Sequence, residues 1–136
     1  MTPTTQAIQT VLLAHNGLKA LLANSDSPTT YRIYALVAPQ GCDKPFLVRE
    51  RLSQVREATM AESGGYGVDN QRCRFSIYAA TLIECMAVEE QLRLALESGK
   101  TSTFSAVQVF SNETFEDDTH LYRVIVDYSI WYRHTS

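Results

Sequence analysis

The sequence predicts an α+β fold: a two-layer sandwich in which two main helices pack beside a mainly antiparallel four-stranded sheet. The predicted elements follow the order helix, strand, strand, helix, strand, strand, and short connections join the strands within each pair. Such connections favour antiparallel pairing. A length of 136 residues is that of one ordinary domain, so we expect residues 1–136 to form a single domain.

A helix is predicted at the start of the chain. Thr2 and Pro3 are residue types preferred at an N-cap and at the first helical position. The apolar stripe that follows consists of Ile8, Val11, Leu12, Leu18, Leu21 and Leu22. Asn16-Gly17 interrupts this stripe, so we expect the first helix to end there and a short second turn to follow.

The first strand pair is predicted at residues 46–52 and 72–78, after a short extended segment at residues 31–37. Alternation places Arg49 and Arg51 together on one face of the first strand. The other face of that strand carries Phe46, Val48, Glu50 and Leu52. In the second strand the apolar face is formed by Cys73, Phe75 and Ile77. Arg72 and Arg74 therefore face away from the core.

Residues 53–71 are predicted to be a long irregular loop between these strands. The segment contains Gly64, Gly65, Tyr66 and Gly67. A connection of this length inside a compact domain is usually functional or disordered. The glycines lack the lysine of a phosphate-binding loop, so a mobile loop is the preferred interpretation.

A second helix and a second strand pair complete the predicted fold. Thr81 and Glu84 form a capping box, and Gly99 predicts the end of the helix near Ser98. The buried stripe of this helix is predicted to be Cys85, Val88, Leu92, Ala95 and Leu96. A strand at residues 103–110 and an acidic loop at 113–118 precede the final strand, at 120–133. One face of that strand is apolar or aromatic throughout: Tyr122, Val124, Val126, Tyr128, Ile130 and Tyr132.

Composition and motifs exclude several classes of function. The net charge of −3 gives no support for nucleic-acid recognition or for attraction to an anionic membrane. Cys42, Cys73 and Cys85 fit no zinc or redox spacing, and we find neither a signal peptide nor a stretch long enough to span a membrane. The nucleotide-binding, metalloprotease and serine-hydrolase motifs are absent. We therefore expect a protein without enzymatic activity, cofactor or bound metal.

Three groups of residues are candidates for contact with other proteins. Arg49, Arg51, Arg72 and Arg74 would form a basic patch if their strands are neighbours; a solvated sheet face is the equal alternative. A basic patch suits an acidic partner such as the Glu116-Asp117-Asp118 loop of another copy, although a solvated hairpin tip is the simpler interpretation of that loop. Trp131 and Arg133 have the composition of an interface anchor, although most aromatic residues of the final strand are expected in the core.

Several segments carry a resemblance to a known family, in the same order along nearly the whole chain. They are Arg32-Ile33-Tyr34, Ala38-Pro39-Gln40-Gly41 and Pro45-Phe46-Leu47-Val48, then the 73–78 strand with its capped helix, then Asp118-Thr119, Leu121-Tyr122-Arg123, Asp127 and Trp131-Tyr132. Together they resemble the tail-completion or tail-terminator proteins of long-tailed bacteriophages and prophages. Residues 53–71 are the part of the chain hardest to place against this pattern.

The resemblance implies a structural protein of the virion, made in the cytoplasm of the bacterial host. Proteins of this family form a ring, usually hexameric, at the head-proximal end of the tail tube. The ring stops growth of the tube and presents a surface to the head-completion protein. The implied partners are therefore further copies of the chain, the tail tube protein and the head-completion or connector protein.

Two other functions remain open at this point. A neck, head-completion or minor tail protein could share the same small fold. A small-molecule-binding or enzymatic domain would instead require a concave pocket with converging polar groups, and the sequence offers no such set of residues.

Overall fold

A computed structural model describes residues 3–23, 31–39, 43–57, 68–101 and 103–133. This part of the chain forms three helices and five strands. In chain order they are α1 (Pro3–Ala14), α2 (Asn16–Leu22), β1 (Ile33–Ala35), β2 (Phe46–Glu57), β3 (Val68–Ala79), α3 (Leu82–Ser98), β4 (Phe104–Glu116) and β5 (Leu121–Arg133). The predicted α+β class is confirmed, but the predicted numbers of strands and main helices were too low.

The strands form one sheet with the order β1-β2-β3-β5-β4. The pairs β2–β3, β3–β5 and β4–β5 are antiparallel, as the sequence predicts for most of the sheet. The additional strand, β1, pairs in parallel with the start of β2, from Ile33 beside Leu47 to Ala35 beside Arg49. The sequence indicated an extended segment here, but three residues contain too little alternation to predict a strand or its partner.

The predicted loop at residues 53–71 was too long. The end of β2 pairs with the start of β3, from Ser53 beside Arg72 to Glu57 beside Val68. The hairpin therefore continues well into the predicted loop. The glycine-containing segment, Gly64 to Gly67, lies outside the residues that the structure describes.

The second hairpin is also longer than predicted. Glu113–Glu116, which the sequence placed in an acidic loop, belong to β4 and pair with Val124–Leu121 of β5. The turn between the strands lies at residues 117–120. His120 closes the turn with a positive φ of 56°. Exposed edge residues are free to be charged, so their polarity is a poor signal of where a strand ends.

The helices agree closely with their local signals. The Oγ1 atom of Thr81 accepts a hydrogen bond from the backbone N–H of Glu84, at 3.2 Å, and Gly99 follows the last helical residue of α3. The break between the first two helices lies at His15, which has an extended backbone, rather than at Asn16-Gly17. Gly17 lies inside α2 and close to α3: a Cβ there would displace the end of the Gln91 side chain.

All three helices lie on the same side of the sheet: α3 packs directly against it, and α1 and α2 pack against α3. The Oγ1 atoms of Thr4 and Thr5 in α1 donate to Asp69 and Gln71 on this face, at 2.9 and 3.4 Å. The predicted stripe of α3 is fully buried, as is most of the predicted apolar face of β5. The shared core includes Ile8, Leu12, Leu18, Leu22, Phe75, Ile77, Leu92, Val124, Val126 and Ile130. No described helix covers the opposite face, which we call the open face.

Candidate functional site

The open face is mainly polar at its centre, and its two margins carry both polar and apolar residues. Cross-strand partners share a face, so the register defines its rows. Across β2, β3, β5 and β4 the three central rows are Val48-Ser76-Ile125-Asn112, Glu50-Arg74-Asp127-Phe110 and Ser53-Arg72-Ser129-Val107. These rows mix charge with large apolar groups.

An ion pair lies at the centre of this face. Arg74 donates from Nε to Oδ1 of Asp127 at 2.9 Å and from Nη2 to Oδ2 at 3.2 Å. The Asp127 side chain is 7% exposed and that of Arg74 is 34% exposed. The pKa of the Arg74 guanidinium is raised, mainly because of its hydrogen bond to Asp127. The bidentate geometry fixes both side chains flat against the sheet.

A second arginine organises the end of the open face nearest the β4–β5 turn. Arg123 donates from Nη2 to Oγ of Ser76 at 3.1 Å, and its guanidinium lies 5.3 Å from the centroid of the Tyr78 ring. The Tyr78 ring stacks in turn on Phe46, with 4.9 Å between centroids. Burial raises the pKa of Tyr78, against the opposing effect of Arg123. Residues from three strands are thereby held in one rigid row.

The four predicted patch arginines do not form one surface. Their strands are neighbours, but Arg49 and Arg51 pair with Phe75 and Cys73 and so lie on the helix-covered face. Arg72 and Arg74 lie on the open face. The expectation that Arg49 and Arg51 occupy an outer face was therefore wrong. Arg49 is 8% exposed, and its Nε has no hydrogen-bond partner among the described residues.

The predicted acidic cluster divides into two parts. Glu116 ends β4 and is engaged within the chain: its carboxylate lies 3.7 Å from Nη1 of Arg123 and accepts a hydrogen bond from Thr119 at 3.2 Å. Asp117 and Asp118 lie in the turn and are exposed. The turn therefore exposes the carboxylates of Asp117 and Asp118, whereas the carboxylate of Glu116 stabilises the hairpin.

The predicted aromatic anchor lies at the opposite end of the open face. Trp131 pairs with Asn70 on one side and Ser105 on the other, and it is 37% exposed. Arg133 is exposed at the end of β5. The remaining predicted interface residues, Gly64, Gly65, Tyr66 and Gly67, lie outside the described part of the chain, so they join no described surface.

The outer edge of β4 was not predicted from the sequence, and it exposes several large apolar side chains along one strand. Four large side chains of this strand are between 42% and 57% exposed: Val107, Val109, Phe110 and Phe115. The strand lies at the margin of the sheet, next to β5 alone. The available signal was the run of residues with high strand propensity from 104 to 110, followed by a further aromatic at 115.

The described residues offer little to a catalytic mechanism. No group of three or more His, Cys, Asp or Glu side chains among them is placed to hold a metal ion. Burial raises the pKa of the Cys73 thiol to about 12 and that of Cys85 to about 11, which suppresses thiolate formation. A cleft of about 380 Å³ between α1 and the start of β4 is lined by uncharged residues, including Thr10, Val11, Phe104 and Tyr132. No described helix is both long and apolar enough to cross a membrane.

A sequence model of a single family, described as "Tail completion protein gp17", matches residues 6–133. The match covers all five strands and nearly all of the three helices. The chain belongs to this family of phage tail-completion proteins. The role of this tail-completion protein is accordingly structural, as part of a virion. No curated protein sequence matches the chain.

A solved structure has the same fold as this tail-completion protein. It is a chain from the "Virion of native gene transfer agent (GTA) particle", with a TM-score of 0.66 and 12% sequence identity. The alignment covers 98% of the tail-completion protein and 100% of the other chain. At this identity the comparison establishes the likeness of the folds.

Proposed function

We propose that this tail-completion protein forms a hexameric ring at the head-proximal end of a tail tube, where it stops growth of the tube and joins the tail to the head. Family membership supports the structural role. The observation that carries the assembly is the outer edge of β4, where large apolar side chains are exposed along one strand. A monomer that stays soluble rarely leaves such an edge uncovered, because it is a template for pairing with another chain.

A ring of this kind makes specific physical demands on each copy. Its subunit contacts must be heterologous, so each copy needs two different surfaces that complement each other. One end of the ring must then bind the last ring of the tube, and the other end must offer no surface that tube protein can extend. The polar open face and the apolar edge of β4 differ strongly in character, which suits a subunit that meets several unlike neighbours.

The decisive experiment removes the protein from a phage that encodes it. We expect particles with tails of abnormal length, or with tails not joined to filled heads, and complementation by the wild-type gene should restore them. Tails of normal length on filled heads in the absence of the protein would contradict the proposal. The native mass should correspond to a hexamer of 15.3 kDa chains, alone or with tube protein.

The competing proposal is that the chain is a neck, head-completion or minor tail protein, which would have a different location in the virion. Electron microscopy of virions with a tagged copy of the protein distinguishes these locations. Label at the junction of head and tail tube supports termination of the tube, whereas label at the tail tip or around the capsid contradicts it.

A further inference from the structure

We propose that neighbouring copies join by strand addition: the outer edge of β4 in one copy pairs with the outer edge of the second half of β2, residues 51–57, in the next copy. Glu113 of the first copy then meets Arg51 of the second. This proposal rests on the ring proposed above and adds which surfaces close it. The occupant of the β4 edge is a second copy of the same chain.

β4 is a long edge strand with exposed apolar side chains. It is 13 residues long, and no described strand lies on its outer side. Val107, Val109 and Phe110 are all at least 42% exposed, and Glu113 is exposed on the helix-covered side. A long exposed apolar edge readily accepts an additional strand through its backbone N–H and C=O groups.

The second half of β2 presents a matching edge. β1 covers only the start of β2, ending at Arg49, where the backbone N–H of Leu36 donates to the Arg49 carbonyl at 2.9 Å. Beyond that point no described strand lies on the outer side of β2. Val55 is 55% exposed there, and Arg51 is exposed.

The geometry of the two edges is compatible. Each neighbouring pair from β2 through β3 and β5 to β4 is antiparallel, so β2 and β4 run in opposite directions. Placing residues 107–113 of β4 beside residues 51–57 of β2 in the next copy therefore continues the sheet as an antiparallel pair, and residues 114–116 diverge there because β1 occupies the outer side of residues 47–49. Glu113 pairs with Val124, and Arg51 with Cys73, on the helix-covered face. A continuous pleat puts these opposite charges on the same side, within reach of one another.

The contact cannot form within one chain. Two strands separate β2 from β4, which places them about 14 Å apart at the usual strand spacing. Each copy thus presents Glu113 at one edge and Arg51 at the other, and the pairing is head-to-tail. Such a contact closes into a ring when its rotation per copy divides a full turn.

A charge exchange tests the pairing directly. Glu113→Arg and Arg51→Glu should each lower the assembled fraction at least tenfold at a fixed protein concentration, and the double variant should recover most of it. Matched controls are Asp118→Arg in the turn and Lys100→Glu after α3, both at exposed positions away from the two edges. The readout is mass photometry, alone and with tube protein, with circular dichroism to verify folding. Folded single variants that assemble as well as wild type would overturn the proposal.

Cysteine cross-linking provides a second measurement that does not depend on charge. Val55 and Val107 both lie on the open face, so in a Cys42→Ser background we pair Val55→Cys with either Val107→Cys or Phe110→Cys. Oxidation should give a ladder of covalent oligomers, because the two positions within one chain are beyond the roughly 7 Å reach of a disulfide. Single-cysteine variants are the controls and should give no ladder. A ladder from neither double variant would overturn the pairing.

The two proposals fail in distinguishable ways. Rings that form normally in the edge variants contradict strand addition and leave the function in place. Normal tails on virions that lack the protein contradict the function, whatever the cross-linking shows.

Discussion

At the centre of the open face, Arg74 neutralises the charge of the nearly buried Asp127 carboxylate. Arg74→Ala leaves this nearly buried carboxylate without its bidentate partner. We expect a loss of about 2 kcal/mol in the free energy of unfolding, below the figure for fully buried pairs because Arg74 is one-third exposed. Urea denaturation measures the loss.

The neighbouring arginine on the same face supplies the matched control for this experiment. Arg72 is exposed, so Arg72→Ala should change stability by less than about 0.5 kcal/mol. Adding Asp127→Asn to Arg74→Ala should recover part of the loss, since it removes the unpaired charge. Equal effects of the two alanine variants would show that the ion pair contributes nothing to folding.

The buried thiol of Cys73 predicts how stability depends on pH. Burial raises its pKa from 9.0 to about 12, so the unfolded chain releases this proton at lower pH than the folded chain. The contribution of Cys73 is therefore complete below pH 9 and is lost as pH rises from 9 towards 12. The free energy of unfolding of Cys73→Ala should fall less steeply with pH in this window than that of the wild type. The two slopes should differ by up to about 1.4 kcal/mol per pH unit.

Urea denaturation under reducing conditions, at several values between pH 8 and pH 11, measures that difference in slope. Some slope should remain in the variant, because burial also raises the pKa of Cys85 to about 11 and that of Tyr128 to about 12. Identical pH profiles for the variant and the wild type would show that the Cys73 thiol titrates alike in the folded and unfolded states.

Among the elements, α3 was predictable because its signals are local. Thr81, Glu84 and Gly99 mark its ends through contacts within a few residues, and its stripe repeats at helical spacing. β5 was predictable for a similar reason, since period-two alternation continues along the whole strand. In both elements, the spacing of the apolar residues along the chain is enough to predict which side chains are buried.

The face of β2 was not predictable from its own sequence. Phe46, Leu47 and Val48 are all apolar, so alternation does not choose which side enters the core. Pairing with β3 decides it, and places Leu47 and Arg49 beneath the helices. An irregularity in register between Arg51 and Ser53 then changes the faces of the remaining residues. The basic patch failed as a prediction because it required this long-range information.

One arginine joins three elements at the margin of the sheet. Arg32 is 6% exposed and donates to the carbonyls of Pro45, Ala23 and Leu21, which ties the end of α2 to the starts of β1 and β2. Lysine cannot reproduce this planar set of donors. We expect Arg32→Lys to lower the free energy of unfolding by about 2 kcal/mol, since buried carbonyls lose their partners.

Urea denaturation of Arg32→Lys measures this effect, and Arg51→Lys is the exposed control. The control should stay within about 0.5 kcal/mol of wild type, because the hydrogen bond of Arg51 to Gln54, at 3.4 Å, is long and exposed. An equally small effect at Arg32 would mean that water replaces the guanidinium at these carbonyls.

For the molecule as a whole, a sheet covered on one side separates residues that specify folding from residues available for assembly. The sequence predicted the covered side well, because burial of β3, β5 and α3 follows their apolar periodicity. It did not predict the β4 edge, because exposure there depends on strand order: β4 lies outermost only because β5 inserts between it and β3. The residues of β4 alone do not indicate that β5 lies between β4 and β3.

This separation predicts opposite outcomes for one substitution at two valines. Val126 is fully buried between β3 and β4 beneath the helices, and Val107 is 57% exposed on the edge strand. Val126→Asp places an unpaired charge in the core at a cost of several kcal/mol, so we expect no folded protein. Val107→Asp should fold with wild-type stability within about 1 kcal/mol, yet assemble poorly, because the proposed contact would bury its carboxylate beside the apolar Val55 of the next copy. Circular dichroism with mass photometry separates the two effects, and a Val107→Asp variant that assembles normally would remove β4 from the subunit interface.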